Sequence, residues 1–203
     1  MLSGAGLALA GVLSVCALRG FGVQITEKAP AFRQEGPADA PVVIAEFSDF
    51  ECPSCKAAEP AVRQILSIYG DQVRFIFKHF PLEHIHLWAL QAAKDAECAG
   101  RAGKFWPYHD ALYDHQAEWV GAKSPPDALL SYAAKVGLSP DAVKACSQTP
   151  EILAAINADI AEGNSRWVGG TPTFFINGRR FVGDYQLTSM GIPWIDSLLK
   201  KKK

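Results

Sequence analysis

The sequence predicts an α/β fold in which a sheet is interrupted by an all-helical subdomain, and three observations predict it. An apolar, β-prone run at 42–50 passes through Cys52-Pro53-Ser54-Cys55 into a helix-prone run at 56–69, with a second apolar run at 72–79 behind it. From 82 to about 168 the apolar residues recur every three or four positions, the period of helices packed on a core. Two short apolar runs then flank Asn177-Gly178, a dipeptide that accepts the positive φ of a two-residue hairpin turn.

Each element has its own signal. Gly36, Pro37 and Asp39 make a turn-rich approach, so 24–40 reads as a linker and 41–200 as the folded domain. The run at 41–47 is almost continuously apolar, which predicts a strand buried on both faces. The helix at 54–69 carries Ala58, Ala61, Val62, Ile65, Leu66 and Tyr69 near helical spacing and stops at Gly70. Strand 72–79 completes a β-α-β unit, hence parallel strands and a right-handed crossover. Within 82–168, Gly103, Pro125-Pro126, Gly137 to Pro140 and Pro150 divide several helices. Ser139-Pro140-Asp141 and Thr149-Pro150-Glu151 read as N-caps followed by proline at the first helical position. Runs 172–176 and 180–182 form the hairpin, and a helix at about 191–200 follows. Strand, helix, strand, helical block, hairpin, helix is the order of a thioredoxin fold with a helical insertion.

With 203 residues, 49% of them hydrophobic, the chain can bury a core without relying on staples. A net charge of -1 with scattered basic residues leaves no footprint for nucleic acid. Residues 2–18 carry no charge and are rich in Leu, Ala and Gly, so 1–23 is expected to be a signal peptide or a membrane anchor. Either one points out of the cytoplasm. Cys16 lies in that segment, and Lys201 to Lys203 read as a solvated basic tail.

The chemistry concentrates at Cys52 and Cys55. Two intervening residues let the first helical turn bring both sulfurs within bonding distance, so the pair can cycle between dithiol and disulfide. Cys52 falls at the helix N-terminus, where unpaired N–H groups and the helix dipole favour thiolate. Pro53 suits the first helical position, and Ser54 can offer a hydroxyl. Cys52 is then the attacking sulfur and Cys55, one turn in, the resolving one. Half of a zinc site is the competing reading, but it needs a second ligand pair: Cys16, Cys98 and Cys146 stand alone and His84 with His86 are two apart. An inert short disulfide is the other. In an exported chain Cys98 and Cys146 either bridge, closing a loop of about 47 residues worth roughly 4 kcal/mol, or remain two buried thiols.

Three segments carry a resemblance to a known family. They are Phe47-Ser48-Asp49-Phe50-Glu51-Cys52-Pro53-Ser54-Cys55, Gly103-Lys104-Phe105-Trp106-Pro107-Tyr108-His109-Asp110, and Gly169-Gly170-Thr171-Pro172-Thr173-Phe174-Phe175-Ile176-Asn177-Gly178. In this order they resemble the DsbA-like thiol-disulfide oxidoreductases of the bacterial cell envelope, members of the thioredoxin superfamily. The resemblance implies that Pro172 is a cis-proline facing the cysteines, and that Thr171 offers its backbone to an extended substrate like an added strand. It also implies that Glu46, six residues before Cys52, is a buried acid with a raised pKa that exchanges protons with Cys55 through water. Without it, Glu46 reads as a solvent-facing edge residue. Glu59 and Lys78 match charged positions near the pair in some relatives, or are ordinary surface residues. One departure matters: Ser54 stands where the strongest oxidants carry His, so Cys52 should be less acidic than the ~3.5 of DsbA and the couple less oxidising. Phe105, Trp106, Tyr108 and His109 read as core packing, and His79 as a structural histidine.

By the same resemblance the chain catalyses disulfide exchange in exported proteins, donating its Cys52–Cys55 disulfide to reduced clients. A DsbB-like or VKOR-like membrane oxidant would restore it. The alternatives are a reductase or isomerase of misoxidised proteins, kept reduced by a DsbD-like donor, and a chaperone that binds clients without turnover. The expected setting is the periplasm or the outer face of the cytoplasmic membrane, as a monomer with no metal or cofactor.

Overall fold

The computed structural model describes residues 28–200, so the expectations for 1–23, Cys16 and 201–203 lie outside the described residues. Five strands form one sheet in the order β1-β3-β2-β4-β5: β1 (Gln34–Glu35), β2 (Val42–Ser48), β3 (Val73–His79), β4 (Thr173–Ile176) and β5 (Arg179–Val182). β2 and β3 run parallel, joined by helix α1 (Pro53–Tyr69), while the remaining pairs are antiparallel. The Asn177-Gly178 turn has φ of 44° and 84° at its two residues, and Asn177 Oδ1 accepts from the Val43 N–H at 2.7 Å, which anchors the hairpin to β2.

Six helices separate β3 from β4: α2 (Ala89–Arg101), α3 (Phe105–Asp114), α4 (Gln116–Val120), α5 (Pro125–Lys135), α6 (Pro140–Ser147) and α7 (Pro150–Ser165). Their apolar faces bury Leu112, Trp119, Leu129 and Ile156, and this core meets the sheet at Phe77, whose ring stacks on that of Phe50 at 5.1 Å. A second core on the α1 side of the sheet holds Ile44, Val62, Ile65, Phe75 and Phe174. Each such side chain contributes about 1.5–3 kcal/mol by leaving water. A Cys98–Cys146 disulfide, Cα–Cα 6.0 Å, joins α2 to α6. Phe105 and Tyr108 are core residues, and His79 is buried with its ring 3.4 Å from Glu97 Oε2.

Two elements differ from the sequence reading. The linker expected at 24–40 is, where described, part of the domain: β1 extends the sheet beside β3, and Arg33 is buried between Glu97 (3.3 Å) and Asp159. Lys78 closes the same cluster on Asp159 (3.6 Å) and Glu162 (2.7 Å), so the segment is held by charge pairing that no hydrophobic period announces. The last helix, expected at about 191–200, is preceded by α8 (Gly183–Gln186) and a π-helical turn (Leu187–Gly191), and continues as α9 (Ile192–Lys200). Thr188 and Ser189 hydroxyls donate to the Asp184 and Tyr185 carbonyls there, a polar surface that hides the helix from an apolar pattern.

Candidate active site

β2 and α1 meet at the cysteines, and the loop between them is pinned from several sides. Cys52 is the N-cap of α1 and Pro53 its first residue. Asp49 takes the Glu51 N–H on Oδ1 (2.8 Å) and the Leu82 N–H on Oδ2 (2.9 Å), with the His86 ring 2.7 Å from the same oxygen. From α4, the buried Gln116 amide donates to the carbonyls of Phe50 (2.8 Å) and Cys52 (2.9 Å). Ordered on both flanks, the loop presents Cys52 in one orientation.

The two sulfurs, both free thiols, have opposite surroundings. Cys52 Sγ lies 3.4 Å from the carbonyl oxygen of Thr171, the residue before the cis peptide to Pro172. Its pKa is lowered to about 5, chiefly by the hydrogen bond from the Cys55 thiol and against the cost of burial. The Thr171 hydroxyl and the backbone N–H groups of Cys55 and Ser54 in the first helical turn add smaller contributions. Cys55 is fully buried, and burial followed by the neighbouring Cys52 pushes its thiol well above the ordinary range. One cysteine is therefore a thiolate at neutral pH and the other a thiol.

Beneath them, alternation along β2 puts Glu46 and Ser48 on the face that packs against α1. Glu46 is fully buried and raised to about 7, mainly by desolvation, with the Cys52 charge adding to it. Ser48 Oγ donates to Glu46 Oε1 at 2.7 Å and sits 2.9 Å from the Tyr113 hydroxyl. Glu59, buried on α1, is raised to about 7 by desolvation. Lys78 points away from the thiols into the Asp159 and Glu162 cluster. Ser48, Asp49, Tyr113 and Gln116 were not singled out by sequence reasoning. Ser48 and Asp49 lie within the motif, but neither Tyr113 nor Gln116 has a local signal, because each reaches the loop from a distant helix.

A family model described as thioredoxin matches residues 30–191. The chain belongs to the thioredoxin family. Wolbachia pipientis alpha-DsbA2, a thiol-disulfide exchange protein, is 24% identical with a TM-score of 0.68, covering 81% of this chain and 86% of its own. Pseudomonas aeruginosa DsbA2 is 28% identical with a TM-score of 0.63, covering 83% and 97%. Among curated proteins, the Na(+)/H(+) antiporter NhaA 1 of Salinispora arenicola is 40% identical over 155 residues, 76% of this chain. That match spans 23% of the antiporter's own length. No helix among the described residues of this thioredoxin-family chain is long and apolar enough to cross a membrane.

Proposed function

We propose that the chain is a thiol-disulfide oxidoreductase of the bacterial cell envelope that donates the Cys52–Cys55 disulfide to exported proteins. A client thiolate attacks the Cys52 sulfur; the S–S bond breaks and Cys55 leaves, taking up a proton for which the buried Glu46 is the acid. A second client thiolate then attacks the client sulfur of the mixed disulfide and releases Cys52 as a thiolate. Two electrons pass from client to the cysteine pair. The observation that carries this reading is the pKa of about 5 at Cys52, which makes that sulfur a good leaving group in the second step. Thr171, with its carbonyl 3.4 Å from Cys52 Sγ, supports pairing with an extended client segment. The resemblance in fold to a protein named for thiol-disulfide exchange supports it too. The remaining parts of the proposal are export by residues 1–23 as signal peptide or anchor, reoxidation by a DsbB-like or VKOR-like membrane protein, and a monomeric state.

Cys55→Ser tests it. Expressed in cells that export it, this variant should accumulate mixed disulfides on Cys52 with client proteins and with the membrane oxidant. An absence of adducts, or a reduction potential near the ~-270 mV of thioredoxin, overturns the donor reading. Full activity in Cys52→Ser would instead favour a chaperone.

A further inference from the structure

We propose that Glu59 and His109 form a divalent transition-metal site between α1 and α3, with Asp110 orienting the imidazole. The three residues offer ligand atoms all within 4.8 Å of one another. His109 Nδ1 lies 3.0 Å from Asp110 Oδ1, so its N–H donates to that carboxylate and Nε2 keeps its lone pair, the arrangement by which carboxylates fix metal-binding histidines. Nε2 faces Glu59 Oε1 at 3.7 Å, and neither atom has a hydrogen-bond partner, although His109 is 2% and Glu59 7% exposed. A direct hydrogen bond would close that gap to about 2.7–2.9 Å. Two ligands on a tetrahedral ion, with bonds of about 2.0–2.1 Å, stand about 3.4 Å apart, which the observed pair nearly matches.

A cavity of about 100 Å³ opens onto this gap and is walled also by Glu35, leaving room for an ion and its waters. Arg63 borders the same cavity, with its guanidinium engaged by Asp110 (3.4 Å) and Asp114 (3.9 Å). One imidazole with carboxylates suits Zn²⁺, Co²⁺ or Mn²⁺ better than the all-oxygen cations Ca²⁺ and Mg²⁺. The Phe50 and Tyr113 rings, 5.6 Å and 5.0 Å from that of His109, lie against the imidazole and help to fix its orientation.

The test uses the protein with Cys52 and Cys55 oxidised, so that the thiols cannot ligate. Titration with Co²⁺, followed by visible absorption and by Zn²⁺ competition, should show one equivalent bound. His109→Gln and Glu59→Gln should each weaken binding roughly ten- to a hundredfold, while Glu118→Gln leaves it unchanged. Paramagnetic Co²⁺ should also shift or broaden the His109 ring resonances of the unsubstituted protein before those of the other four of its five histidines. No binding at millimolar Co²⁺, unchanged affinity in both variants, or perturbation of another histidine first would each overturn the proposal. The resonance measurement decides the matter even if a variant fails to fold.

Discussion

The charge on Cys52 sets a pH-dependent gap between the stabilities of the reduced and oxidised protein. In the reduced form the thiol is lowered from 9.0 to about 5, whereas the disulfide has no proton to lose. A folded value below the unfolded one means that the unfolded chain holds the proton longer. Stability therefore rises with pH between the two values and is lost as pH falls through about 5. At pH 7 the group is two units above its folded value, so linkage contributes at most about 2.7 kcal/mol to the reduced form. Cys52 lies just beneath the surface, 6% exposed, and partial screening brings this toward about half. Opposing it is the cross-link, worth about 2 kcal/mol for so short a ring. The two forms should thus lie within about 1 kcal/mol of each other at pH 7. The oxidised form should lead by roughly 2 kcal/mol at pH 5, and the reduced form should overtake it near pH 8. Burial raises Glu46 in both forms, so it largely cancels from the gap. Urea unfolding of each form across this range measures the gap, with thiolate absorbance and iodoacetamide rates on the same samples. A thiol titrating near 8.5–9, or a gap flat from pH 5 to 8, refutes the reasoning.

Glu46 runs the opposite way: its folded value of about 7 exceeds 4.5, so stability is fully present below pH 4.5 and is lost as pH rises through 7. Glu46→Gln should match the parent at pH 4 in urea unfolding, exceed it by about 3 kcal/mol at pH 8, and slow attack of a client thiol on the Cys52–Cys55 disulfide roughly tenfold or more by stopped flow. Removing Cys98 and Cys146 together should cost about 4 kcal/mol and roughly 10 °C in Tm by calorimetry, with Cys52 alkylation rates unchanged. Arg33→Ala leaves Glu97 and Asp159 buried without their cation and should cost about 3–5 kcal/mol in the same assay, together with faster proteolysis at 28–40.

The parts legible in the sequence are those whose cause is local. Cys52 at a strand-to-helix junction, the Asn177-Gly178 turn and the breakers between helices each act through the backbone of a few neighbouring residues. Pro60 shows the limit of that logic, since it lies inside α1 without ending it. What the sequence hid depends on distant partners. Arg33 looks like a linker residue until α2 brings Glu97 and α7 brings Asp159 to it. Gln116 looks like an ordinary polar helix residue until its amide meets two carbonyls of the active loop. Gly163 reads as a weak point in α7, yet a Cβ there would come within 2.6 Å of Phe80, so its smallness lets the helix seat against the sheet.

The asymmetry between the two thiols follows from where each element stops. α1 ends its first turn between them, leaving Cys52 at the cap with open N–H groups and Thr171 across from it, and carrying Cys55 down onto β2. There burial makes a Cys55 anion costly, so breaking the disulfide needs a proton at that position. In the proposed exchange Glu46 would supply it, being poised near neutrality, and strand period two puts Ser48 beside it on the same face. A carboxyl with an ordinary pKa of 4.5 would be almost always ionised at pH 7 and could give no proton, whereas one near 7 is protonated about half the time. The burial that destabilises the fold at Glu46 is the same burial that makes Glu46 a usable acid. That is why removal of its charge should raise stability and lower turnover together, an opposition that a purely structural glutamate would not produce.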